Sequence, residues 1–290
     1  MRGRRKNQGG VKSVQKNSLG KQMWSVLSPL VVRYAIAYIV EVIIIGSYTI
    51  KKFPNVFENL VTQEQIYEQI AVILEAILPY STQIGAVAAV ITIPCFLRMI
   101  KKDNLQTEKL DFPVAKCAFA VVMSVAVAVA LNNILLLANI AEFSESYQET
   151  AEMLYSPSFP MQILCLGIIY PIMEELLFRG LIFRRVRQNT SAFNAVISSA
   201  LFFGIYHGNS VQMIYGALSG VMLAYLCEKS GSVKVPIMAH MAMNITAVIL
   251  TELDAFAWMF AVPVRMVIIT ICCAAIGSSM LVLIREKDKA

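Results

Sequence analysis

Charge is what this 290-residue sequence is short of: Asp, Glu, Lys and Arg together supply 15% of it, against 57% hydrophobic residues. Soluble domains carry about 25% charge and 45–50% apolar residues, so a water-soluble globular fold is excluded. Histidine is scarcer still, with His207 and His240 the only two. The six cysteines (Cys95, Cys117, Cys165, Cys227, Cys272 and Cys273) form no C-x-x-C pair. Neither a disulfide framework nor a structural zinc site is expected from them, and they read as small packing residues. Repeats and low-complexity tracts are absent. The first apolar run has spanning length and no small-residue cleavage pattern after it, which argues against a signal peptide.

What is present is a series of apolar runs, at about 24–48, 83–100, 114–138, 161–183, 192–208, 211–227, 233–251 and 264–284. A hydrocarbon core of roughly 30 Å takes about 20 helical residues, and a helix satisfies its own backbone there. The expectation is an all-α fold, a polytopic membrane bundle of about eight transmembrane helices. It divides into a basic cytoplasmic segment at 1–22, N-terminal membrane helices at 23–160, a core at 161–251 that holds most of the intramembrane polar groups, and a last helix with a short tail at 252–290.

The net charge of +6 gathers at the start, in Arg2, Arg4, Arg5, Lys6, Lys12, Lys16 and Lys21. Such a run before a span reads as a cytoplasmic flank, not as an arm for nucleic acid. Basic flanks then alternate with acidic ones, so both termini are expected in the cytoplasm and the loops near 142–160 and 252–263 outside. Between Asn55 and Tyr80, isoleucines at helical spacing interleave with Glu64, Glu68 and Glu75, which predicts an amphipathic helix at the outer surface. Gly216-x-x-x-Gly220 marks a close helix contact.

An ionisable group inside a span costs about 2.5–3.5 kcal/mol on insertion scales, so each needs a reason. Arg33 and Glu41 in the first span are expected to pair or to snorkel, and Asn132 and Asn133 to bond between helices. The fourth span carries Glu174, Glu175 and Arg179. Glu175 and Arg179 are spaced i, i+4 and can pair, whereas Glu174, about 100° around the helix, is left over. His207 ends the short fifth run, and His240 stands one turn from Asn244 in the seventh. A carboxylate, two imidazoles and an amide are what activation of water and stabilisation of an oxyanion require.

In order and spacing, Glu174-Glu175…Arg179, Phe203…His207 and His240…Asn244 resemble the three motifs of the CAAX-protease and bacteriocin-processing family, also called the abortive-infection or type II CAAX prenyl endopeptidase family. The resemblance runs over about 160–251. It implies a glutamate-dependent intramembrane endopeptidase, open to cytoplasm and lipid, in the plasma membrane of a prokaryote. By position, Glu174 with His207 activates water, His240 with Asn244 stabilises the oxyanion, and Glu175, Arg179 and Phe203 form the framework. The implied partners are the bilayer and a peptide or lipidated protein, and no metal or other cofactor is implied. Two alternatives remain open at this point: zinc held by His207, His240 and a glutamate, and a non-catalytic immunity or transport protein.

Overall fold

A computed structural model describes residues 19–56, 58, 62–105, 112–138 and 144–286. The basic run from Arg2 to Lys16, together with Lys109, Glu142, Lys287 and Lys289, lies outside the described residues. The helices are α1 (Leu19–Lys52), α2 (Gln63–Ile77), α3 (Ser81–Lys102), α4 (Val114–Leu137), α5 (Glu145–Tyr155), α6 (Phe159–Arg187), α7 (Ala192–Tyr206), α8 (Ser210–Ser230), α9 (Lys234–Glu252), α10 (Ala255–Phe260) and α11 (Pro263–Arg285). No strand occurs among the described residues, and the chain is an all-α, multi-pass membrane bundle.

Seven of the described helices are long and apolar enough to cross a bilayer. The expected span at 192–208 is the exception. Its helix α7 has 15 residues, or about 22 Å at 1.5 Å per residue, and Gly208 with a positive φ of 79° turns the chain at its end. The expected amphipathic helix before the second span exists as α2, capped by reciprocal Thr62 and Gln65 hydrogen bonds. A 3₁₀ turn at Leu78–Tyr80, holding Pro79, joins it to α3 in one 40-residue run.

The helix ends fall at two poles of different charge. At one pole Arg184 donates to the carbonyls of Leu105 and Gly231, Arg185 pairs with Asp103, Arg187 pairs with Glu228, and Lys116 donates to the Glu286 carbonyl. These contacts tie the end of α6 to the ends of α3 and α8, and the start of α4 to the end of α11. At the other pole Ser156 donates to the Pro79 carbonyl and Arg265 to that of Trp258.

The core between the poles is apolar and close-packed around α6, with Leu177, Phe178, Leu181, Leu223 and Leu226 fully buried. On α7 and α8, small residues bring the backbones together. A Cβ added to Gly204 would stand 2.6 Å from the Met213 carbonyl, and one on Gly220 3.0 Å from the Cα of Ala200. The Gly216-x-x-x-Gly220 stripe therefore meets Ala200-x-x-x-Gly204 as its partner, the close approach expected of small residues at i, i+4. Outward-facing Ile43, Ile271 and Val282 stay exposed, as lipid contact allows.

Arg33 and Glu41 do not share a fate. Arg33 is buried and its guanidinium reaches the Tyr206 hydroxyl, while Glu41 is exposed. Asn133 bonds the Met259 sulfur of α10 at 3.7 Å, an interhelical contact as expected. Asn132 donates to its own helix at Ala128 and also meets Tyr215 of α8.

Candidate active site

Helix α6 is wound wide on both sides of the acidic pair. Its turns over Ile163–Ile169 and Leu176–Phe183 are π-helical, and the intervening Tyr170–Glu175 is α-helical. Pro171 sits at the first junction and lacks the N–H that a regular turn would use. Wide turns of this kind shift the side-chain register and occur often at functional sites. Here both adjacent glutamates point inward: Glu175 is fully buried and Glu174 nearly so.

Glu175 is the anchor of a buried network. Its Oε1 accepts from Arg179 Nη1 at 2.8 Å and from His240 Nδ1 at 2.9 Å. Arg179, also fully buried, sends Nη2 to the Gly220 carbonyl at 2.9 Å and lays its guanidinium 4.6 Å from the centre of the Phe203 ring. Gly220 thus does two things: it admits α7 and it offers Arg179 an acceptor. Phe203 is the wedge at the centre, edge-on to Phe178, His207 and His240 with ring centres 5.0, 4.9 and 5.5 Å apart. The expected Glu175–Arg179 pair is present, and the Glu175–His240 bond, which spacing along the chain does not predict, adds to it.

Glu174 stands apart from that network and faces the cavity. Its Oε2 lies 3.7 Å from His240 Nε2, outside hydrogen-bond distance. The histidine tautomers follow from their partners. His207 Nδ1 is 2.7 Å from the Phe203 carbonyl, which can only accept, so Nδ1 carries a proton, and in the neutral ring Nε2 keeps its lone pair. His240 likewise donates its Nδ1–H to Glu175 and turns Nε2 toward Glu174. A Cβ at Gly216 would lie 3.2 Å from His207 Nδ1, so that glycine also makes room for the ring.

Asn244 has a partner within the protein: its Nδ2 donates to the Leu166 carbonyl at 2.9 Å. Leu166 lies in the first wide turn, where the helical bond pattern is broken. The amide keeps a second N–H for another partner.

Glu174, Phe203, His207, His240 and Asn244 all line one cavity of about 390 Å³. Tyr34, Tyr170 and Tyr206 form one wall, and Tyr147, Thr150 and Tyr155 of α5 face it from beyond. Burial pushes the Tyr147 and Tyr155 phenols up from their ordinary value, so both remain neutral hydroxyls. Among the described residues no three His, Cys, Asp or Glu side chains stand close enough to share a metal ion. A zinc held by His207, His240 and a glutamate therefore requires those side chains to move.

Sequence reasoning missed Tyr206, and it singled out Arg33 without placing it near the site. The Arg33 guanidinium, 7% exposed, meets the Tyr206 hydroxyl, and its Nε and Nη1 have no partner. The one signal was the cost of an arginine inside a span, and only the fold shows that it lies behind a wall of this cavity. Tyr170, in the same wall, donates to the Thr82 carbonyl at 3.0 Å, and Thr82 donates to that of Met153 on α5.

The comparisons with known proteins converge on the same stretch. Residues 156–246 match the family model described as Type II CAAX prenyl endopeptidase Rce1-like. Over 95 residues the chain is 34% identical to a Bacillus subtilis (strain 168) protein named "Putative membrane peptidase YdiL", a match covering 33% of this chain. The chain spans 38% of the length of that curated relative. No solved structure matches the chain. The matched segment carries the acidic pair, Arg179, both histidines and Asn244, and it is similar to the Rce1-like type II CAAX prenyl endopeptidases.

Proposed function

We propose that the protein is an intramembrane endopeptidase of glutamic type, which hydrolyses peptide bonds of membrane-associated peptides or lipidated proteins. The observation that supports it most is the division of labour between adjacent acids. Glu175 is consumed by Arg179 and His240, while Glu174 is left unpaired at the cavity, 3.7 Å from an imidazole nitrogen. A structural ion pair accounts for the first acid and leaves the second unexplained.

In this reading a water donates one hydrogen bond to Glu174 and another to the lone pair of His207 Nε2. Its oxygen attacks the carbonyl carbon of the scissile bond as Glu174 takes the proton, the usual work of a positioned base. The negative charge that develops on the carbonyl oxygen is met by the second Asn244 N–H and by Nε2–H of His240, whose ring takes up a second proton from solvent before the step. Glu174 then returns its proton to the leaving amine, the C–N bond breaks, and the new carboxyl group loses its own proton to solvent. Glu175, Arg179 and Phe203 keep the His240 and His207 rings in register.

The test is turnover of a hydrophobic peptide and of a lipidated CAAX peptide by the purified full chain in detergent, with products identified by mass. Cleavage by the parent, lost in Glu174→Gln, is the expected result. Equal cleavage by both proteins would sink the assignment of Glu174.

A further inference from the structure

The site is sealed on one side and open on the other. Between Glu174 and the pole of Arg184, Arg185 and Arg187 lie Phe178, Leu181, Ile182, Phe183, Leu223 and Leu226, none more than 3% exposed. That plug leaves no passage toward the basic pole. In the opposite direction the cavity continues along the far halves of its helices. It is lined by Asn132 and Leu135 near the end of α4, by Ala247 and Val248 near the end of α9, and finally by Tyr147 and Thr150 of α5. Each of those helix halves is remote from the pole where Lys116 opens α4 and Lys234 opens α9.

Charge distinguishes the two poles. Outside the core, the described lysines and arginines gather at the sealed pole, with Lys51, Lys52 and Arg265 the exceptions. The opposite pole carries Glu145, Glu149 and Glu152 on α5 and Glu252 and Asp254 after α9. Lys and Arg in short flanks stay in the cytoplasm, so the sealed pole is the cytoplasmic one.

We propose that the active-site cavity opens on the extracytoplasmic side, beneath α5, and admits peptide segments presented at that surface. The inference rests on the hydrolase reading for what happens to the occupant, and on lining residues and charge for where the occupant comes from. It departs from the cytoplasmic opening that the family resemblance implies. The lining also fits a peptide better than a bare hydrocarbon chain. A backbone drawn into a membrane-embedded cavity must find partners for its N–H and C=O groups, and the hydroxyls of Tyr147, Tyr155 and Tyr215, with Asn132 and Gln212, are placed along the way.

Thiol labelling in whole cells decides the side. Thr150→Cys places a thiol at the cavity, Glu149→Cys places one on the exposed face of α5, and Lys229→Cys serves as the reference at the sealed pole. The full chain with its six native cysteines is the blank. A membrane-impermeant maleimide is expected to label T150C and E149C in intact cells to the level reached after permeabilisation, and K229C only after permeabilisation. Labelling of T150C and E149C only in permeabilised cells, or of K229C in intact ones, overturns the proposal. E149C reports the side even if T150C disturbs packing. Adding Glu174→Gln to T150C should leave labelling unchanged, because access does not depend on turnover. Should E174Q retain full turnover, the hydrolase assignment fails while the side on which the cavity opens is still fixed by the labelling.

Discussion

Replacing Glu175 by glutamine removes one charge and leaves a buried guanidinium without its counter-ion. Glu175 and Arg179 are both fully buried, and Glu175 Oε1 accepts from Arg179 at 2.8 Å and from His240 at 2.9 Å. Hydrogen bonds to a charged group contribute about 1.5–3 kcal/mol each, and breaking one side of a buried pair costs about 3–5 kcal/mol. At roughly 2–4 °C per kcal/mol for a chain of this order of size, the melting temperature of E175Q in detergent should fall by about 6–20 °C. Glu174 makes no such bond, the nearest imidazole nitrogen, His240 Nε2, lying at 3.7 Å. Glu174→Gln should therefore melt within about 2 °C of the parent, as substitutions away from buried networks do. The double variant E175Q/R179M removes the orphaned charge and should recover most of the loss, since an apolar replacement of a buried pair is often neutral. Differential scanning fluorimetry on the three purified proteins reads all of this directly. An E175Q melt indistinguishable from the parent, or an E174Q melt lowered as far, would refute the division of roles between the two acids.

Turnover should separate the same residues differently: E174Q is expected to lose about 10²–10⁴-fold, the contribution of a positioned base, as measured by product formation at saturating peptide. Asn244→Ala removes one oxyanion donor and should lower kcat about 10²–10³-fold with KM nearly unchanged; a loss confined to KM would assign Asn244 to binding instead. Gly204→Ala drives a methyl to 2.6 Å from the Met213 carbonyl, and overpacking of this kind costs about 1–3 kcal/mol, readable as a lower melting temperature. Chelator treatment of active protein should leave turnover unchanged; activity lost on chelation and restored by stoichiometric zinc would return the metalloprotease reading.

The polar residues of the site were legible because the membrane makes each of them expensive, so few compete for attention. Glu174, Glu175, Arg179, His207, His240 and Asn244 could all be found that way, and the i, i+4 spacing predicted the Glu175–Arg179 pair. What spacing within one helix could not supply was contact between helices. The Glu175–His240 bond joins α6 to α9, the Asn244–Leu166 bond depends on a carbonyl freed by a wide turn, and Arg33 meets Tyr206 from a helix more than 150 positions earlier. The long apolar helices were read well and their lengths less so, while α5 and α10 lie in stretches read as loops. Apolar content does not record that α7 stops at Tyr206, where a glycine of positive φ turns the chain. Nor does it record that α2 runs on into α3 through a proline-bearing 3₁₀ turn.

Arg33 and Tyr34 stand on α1, well outside the 156–246 segment that matches the family. The proposed hydrolytic residues, with Tyr170 and Tyr206 of the wall, thus lie in the matched segment, whereas Tyr34 and the Arg33 behind it lie outside it. An excised 156–246 fragment would bare Tyr206 and Tyr170 to lipid and leave the cavity without that side. Exchanging α1 between relatives is accordingly a way to reshape what the cavity admits while Glu174, His207, His240 and Asn244 stay in place.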